Sequence, residues 1–230
     1  MTVPSATVAD DTETRPLIIR TNDGIALEAE VRLPAVGAGG DDAVTGAVVL
    51  AHPHPAQGGS MASLVTSELF RLLPQRGLAA LRFNFRGVGN SGGEHGHGRT
   101  EAADVTAALA VMADLWPHRP LVLSGWSFGG DVSLSLTDPL IDGWAAIAPP
   151  LRVLPLDELS AAAGADPRPK LLIVPEHDQF RAPDAAREAT AGWVNTTVEA
   201  VAGADHFLVG RTEKAARLVA AFAASLASLA

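Results

Sequence analysis

Residues 121–130 read Leu121-Val122-Leu123-Ser124-Gly125-Trp126-Ser127-Phe128-Gly129-Gly130. A short apolar run, suited to a buried strand, enters a Gly-x-Ser-x-Gly turn, and Phe128 to Leu136 then continues with helical spacing. Strand before and helix after make the turn a sharp elbow. Side chains at Gly125 or Gly129 would collide as strand and helix close up, Gly130 extends the same clearance, and the elbow forces Ser127 into a strained backbone that raises its Oγ above the sheet. A glycine-rich turn that merely contains serine would lack this setting, so Ser127 is the candidate nucleophile.

The pattern continues on both sides. Ala47 to Ala51, Leu78 to Phe83, Trp144 to Ile147 and Leu171 to Val174 are nearly continuous apolar runs, as parallel strands buried on both faces require, and Thr197 to Val201 is a weaker one. Between them Met61 to Leu73, Glu101 to Leu115 and Pro183 to Trp193 have helical spacing. A last helix runs from Thr212 to Leu229, with Leu218, Phe222 and Leu226 four residues apart. Upstream, Leu17 to Arg20 and Ile25 to Leu33 flank Asn22-Asp23-Gly24, which predicts an antiparallel hairpin. The expected fold is therefore α/β: a mostly parallel sheet of about eight strands with an N-terminal hairpin and helices on both faces. Residues 1–14 read as a solvated, disordered tail and 15–230 as one domain. Val36 to Asp42 reads as a surface loop. The proline-rich stretch from Pro149 to Pro169 is the longest irregular connection and the only room for a short lid.

A serine hydroxyl is a weak nucleophile until a base takes its proton. Downstream of Ser127 only His177 and His206 remain. His177 adjoins the best acid and would have to face away from it, whereas His206 follows the last strand and is the candidate base. Asp178, in the loop after Leu171 to Val174, is the candidate acid, with Glu176 a competitor in the same loop and Asp157 a weaker alternative. An oxyanion needs two aimed N–H donors. Phe128 supplies one as the residue after the nucleophile. The loop His52-Pro53-His54-Pro55 supplies the other; its prolines have no N–H, and His54 stands nearer the top than His52.

His52-Pro53-His54-Pro55 with Gly58-Gly59, then Leu81-Arg82-Phe83-Asn84-Phe85-Arg86-Gly87-Val88-Gly89-Asn90-Ser91-Gly92-Gly93, then Gly125 to Gly130, resembles the small lidless bacterial α/β-hydrolases from about Ala47 to Arg211. The resemblance implies the α/β-hydrolase fold, a triad of Ser127, Asp178 and His206, and an oxyanion hole at His54 and Phe128. It also implies that Arg86 anchors its loop by pairing with Asp104. Pro175 departs from the pattern, standing where relatives often carry glycine before the acid turn.

Composition narrows the classes. The chain of 230 residues has a net charge of −9 with scattered arginines, which argues against nucleic acid as a partner. No run approaches the roughly 18 to 20 apolar residues of a membrane span. Without cysteine there is no disulfide, thiolate zinc site or cysteine nucleophile. The N-terminus lacks the features of a signal peptide, so cytoplasm is the expected location and the sequon at Asn195-Thr196-Thr197 carries no weight. Gly87-x-Gly89-x-x-Gly92 matches a dinucleotide fingerprint, but glycines and histidines continue to Gly98 where a helix should open. His52, His54, His95 and His97 form two His-x-His pairs without a third ligand at fixed spacing, so no metal is expected. Of the four tryptophans, Trp126 stands out for its place beside Ser127.

The expected activity is hydrolysis of a carboxylic ester through an acyl-enzyme, without cofactor, on a small-molecule ester or thioester. Short or medium acyl chains are expected, because the lid region is short. Thioesterase, acyltransferase and small serine peptidase share the same machinery, and a non-catalytic binding or scaffold protein is the reading from a different class. An apolar last helix at the domain edge could support a homodimer.

Overall fold

The structure, a computed structural model, describes residues 14–34 and 44–227. The loop read at Val36 to Asp42 lies outside the described residues, as does the tail read at 1–14 apart from Thr14, which instead opens a strand. Strands β1 (Thr14–Arg20), β2 (Ala26–Arg32), β3 (Gly46–Ala51), β4 (Leu78–Phe83), β5 (Leu121–Trp126), β6 (Gly143–Ile147), β7 (Lys170–His177) and β8 (Thr196–Asp205) form one sheet in the order β1-β2-β4-β3-β5-β6-β7-β8. β1 pairs with β2 and β2 with β4 antiparallel; every pairing from β4 to β8 is parallel. This is the α/β-hydrolase fold.

Alternation along the central strands feeds two cores. Ala47, Val49 and Ala51 of β3 face α2 (Glu101–Leu115) and α3 (Phe128–Leu134), in a core that includes Val105, Leu109 and Val132 and extends to Ala186 of α5 (Pro183–Ala189). Val48 and Leu50 face α1 (Leu64–Leu72) and α6 (Thr212–Ala227), through Val65, Leu69, Ala216 and Val219. Strands buried on both faces leave no polar alternation to read, which is why their sequences run apolar. α6 lays its apolar stripe on the sheet so closely that a Cβ at Gly143 would come within 2.7 Å of Phe222.

Several boundaries differ from those expected. β5 continues through Ser124, Gly125 and Trp126 because β3 pairs with it as far as Gly125 and β6 as far as Trp126, and the buried Ser124 hydroxyl donates to the Ala145 carbonyl at 2.8 Å. Helix α1 starts three residues late, because Met61 N–H is taken by Asn84 Oδ1 and Ser60 N–H by Ser63 Oγ. The stretch 149–169 is not wholly irregular: it holds α4 (Leu156–Leu159) and a π-turn over Ser160–Gly164, pinned by Trp193 Nε1–H donating to Ser160 Oγ at 2.9 Å. Arg86 bonds Asp104 through Nε (2.9 Å) and Nη2 (2.7 Å), as the resemblance implied, and reaches Asp23 as well. A buried charge with one partner removed costs several kcal/mol, so Arg86 ties its loop to both α2 and the hairpin turn.

Candidate active site

The parallel strands end on one side of the sheet, and the elbow lies there between β5 and α3. Ser127 has φ 55° and ψ −119°, and its N–H donates to the Ile147 carbonyl. A Cβ at Gly125 would stand 2.2 Å from the Gly129 carbonyl oxygen, and one at Gly129 2.4 Å from that of Ala51. Both positions demand glycine. At Gly130 the nearest atom would be 3.2 Å away, so its clearance is less strict than that of the other two.

β8 delivers His206, which is buried. Its Nε2 lies 3.0 Å from Ser127 Oγ and its Nδ1 lies 2.8 Å from Asp178 Oδ2. The second carboxylate oxygen of Asp178 accepts the N–H groups of Phe180 (2.8 Å) and Arg181 (3.2 Å). Facing an acceptor, Nδ1 is the protonated nitrogen, which leaves Nε2 free to receive the Ser127 proton. Trp126 Nε1–H donates to the His206 carbonyl at 3.1 Å, and Phe180 meets the imidazole edge-on at 4.5 Å. The indole beside the serine thus holds the histidine's loop.

The competing acids stand elsewhere. Glu176 is exposed and accepts the Gly203 N–H at 2.7 Å, Asp157 sits on α4, and both ring nitrogens of His206 are already engaged. His177 is exposed. Pro175 pairs with Val201 at the point where the β7–β8 register shifts, and proline within a sheet is commonly found at such irregularities.

The loop after β3 folds back on itself, and a Cβ at Gly59 would lie 2.2 Å from the Pro53 carbonyl oxygen. His52 is buried at its base, with Nδ1 at 2.6 Å from the Pro53 carbonyl and Nε2 accepting the Phe85 N–H at 3.0 Å. That bonding needs a neutral ring, and burial lowers the His52 pKa to about 4. An unfolded His52 takes up a proton below its ordinary value while the folded one does not, so folding stability falls as pH drops from 6.5 towards 4. Between pH 7 and pH 5 the loss is about 2 kcal/mol. Urea unfolding at both pH values, beside His52→Asn, checks this: the loss due to this group disappears in the variant.

The His54 amide and the Phe128 amide, the two expected donors, enter none of the described backbone hydrogen bonds outside regular elements, and both residues line the cleft at Ser127. The His54 ring accepts the Ala56 N–H through Nδ1, and burial, then His95 and His97, lower its pKa. His95 packs between His54, His97 and Phe128, with Nδ1 at 2.6 Å from Glu101 Oε1 but outside hydrogen-bond alignment. Among the described residues no three His, Asp or Glu side chains converge to hold a metal ion.

Two clefts meet at Ser127. The larger, about 240 Å³, is walled by Trp126, His206, Phe207 and Gln179; the smaller, about 70 Å³, by Phe128, Pro150, Arg152 and Val153. The start of the proline-rich stretch is therefore a wall of the site. Asp131, absent from the sequence reading, fixes that wall by accepting the N–H groups of Leu151 (2.9 Å), Arg152 (2.8 Å) and Val153 (2.8 Å). Burial pushes its carboxyl up to about 6, against the pull of those amides and of Arg181. In the sequence Asp131 stands only as an acid in the first turn of the helix after the elbow, which says nothing of these contacts.

Comparison with known proteins agrees with this architecture. Residues 42–173, more than half of the chain, match the family described as Serine aminopeptidase, S33. An uncharacterized protein of Rickettsia prowazekii is 28% identical over 177 residues, covering 73% of this chain and 74% of its own. An alpha-beta serine hydrolase homologue from Coxiella burnetii superposes with a TM-score of 0.75 at 27% identity, covering 90% of this chain and 96% of that one. A Xanthomonas campestris protein described as a serine hydrolase without lid gives 0.74 at 27%, covering 90% and 92%. Among the described residues no helix is long and apolar enough to cross a membrane.

Proposed function

The chain belongs to the serine aminopeptidase S33 family of α/β-hydrolases, and on that premise we propose that it cleaves a small carboxylic ester through an acyl-enzyme on Ser127. The observation that carries the reading is the chain of contacts from Ser127 Oγ to His206 Nε2 at 3.0 Å and from His206 Nδ1 to Asp178 at 2.8 Å. Ser127 Oγ attacks the ester carbonyl as His206 takes its proton, and the amides of His54 and Phe128 receive the oxyanion. Collapse expels the alcohol, which leaves with the proton from His206. Water, activated by the same imidazole, then releases the acid. The cycle uses no cofactor.

Ester rather than aminopeptide cleavage is favoured by the charge of the walls. An aminopeptidase must hold a free ammonium group, yet among the described residues no Asp or Glu lines either cleft. A substrate panel tests this. Short and medium 4-nitrophenyl esters are expected to be turned over far faster than alanine 4-nitroanilide, with no gain beyond about ten acyl carbons, since the cleft beside Phe128 is small, about 70 Å³. Anilide as the better substrate would contradict the reading. Thioesters enter the same mechanism, and product diverted to an added alcohol would identify acyl transfer. Turnover of none of these would favour a binding or scaffold role.

A further inference from the structure

We propose that Arg152 selects esters whose acid portion ends in a second, ionised carboxylate, the half-esters of short dicarboxylic acids. The inference rests on the ester-hydrolase reading and assigns that site a substrate class. The leaving alcohol must collect its proton from His206, and His206 lines the larger cleft but not the smaller. The alcohol therefore occupies the larger cleft, and the acyl chain enters the smaller one beside Phe128. Arg152 stands on the wall of that smaller cleft.

Its guanidinium is unclaimed. Acids outnumber bases in this chain by 26 to 17, yet among the described residues Arg152 makes no ion pair or side-chain hydrogen bond, and it is exposed on the wall of the smaller cleft. Nearby acids are already committed: Asp131 to three amides, Asp178 to His206, and Glu158 to Arg99. What Arg152 does contact is the ring of Phe180, 4.9 Å from its guanidinium carbon, and Phe180 in turn meets His206 edge-on. A guanidinium over a ring face is attracted by the ring's quadrupole and keeps its N–H groups free to bond elsewhere. Its backbone is equally fixed, by Asp131 at its own amide, while Arg181 bonds the carbonyls of Pro150 (3.2 Å) and Leu151 (3.4 Å). A guanidinium without an ionic partner on the wall of this small acyl cleft suits a carboxylate at the end of a short acyl chain.

The test compares monoethyl succinate with ethyl butanoate, a neutral chain of similar size, following acid release in a pH-stat. The wild-type protein is expected to favour the half-ester in kcat/KM by about tenfold or more, and less so as salt is raised. Arg152→Gln should bring that ratio close to one, Arg152→Lys should keep part of it, and Arg152→Glu should invert it. A wild-type ratio at or below one, or a preference that survives Arg152→Gln, would overturn the inference and leave the esterase reading standing. If neither ester nor any of the panel above is hydrolysed, the esterase reading falls and this inference with it.

Discussion

Ser127→Ala and His206→Ala each lower kcat/KM for the best ester at least about ten-thousand-fold, and the double variant is scarcely worse than either single one. The reason is mutual dependence. Without His206 the proton of Ser127 Oγ has no acceptor within 3.0 Å, and without Ser127 the imidazole activates nothing. Steady-state kinetics on the three variants check the non-additivity. Additive losses would mean that the two groups act independently, against the mechanism proposed. Far-ultraviolet circular dichroism should be unchanged in Ser127→Ala, because its backbone bonds, from Ser127 N–H to Ile147 and from Gly130 N–H to Ser127, do not involve the side chain.

Asp178→Asn is expected to lower kcat by about ten-thousand-fold with little change in stability. An amide is nearly isosteric with the carboxylate and keeps an oxygen to accept from Phe180 and Arg181, so the turn survives. What is lost is the charge facing Nδ1, and with it the stabilisation of the imidazolium formed during attack. The amide can also donate to Nδ1, moving the imidazole proton to Nε2, where it faces Ser127 and blocks it. Glu176→Gln is the control: its carboxylate is exposed on a backbone amide of β8, and the substitution should leave kcat within about twofold, as for a surface residue away from the site. If Glu176→Gln proved the damaging variant, the acid would have been misassigned.

How far the sequence revealed the fold depended on how local the physics was. β3, β4 and β6 were legible because burial on both faces forces continuous apolar runs, and the elbow because Gly125 and Gly129 answer to backbone contacts within a few residues or with the adjacent strand. The ends of β5 and β7 were not, since Ser124 and His177 look like loop residues until the neighbouring strands are in place to pair with them. α4 was hidden by the prolines around it. In the site, Ser127, Asp178 and His206 could be picked out by chain order, and the structure brings them within hydrogen-bond distance of one another. Asp131 and Arg152 escaped notice because their placement depends on contacts about twenty residues apart, between α3 and the stretch after β6, that no periodicity encodes.

The most direct test of the central claim is to treat the purified protein with a fluorophosphonate probe and map the adduct by peptide mass spectrometry. The proposed mechanism predicts one adduct, on the peptide carrying Ser127, absent in Ser127→Ala and strongly retarded in His206→Ala. No adduct on the folded wild-type protein, or an adduct that persists in Ser127→Ala, would contradict it.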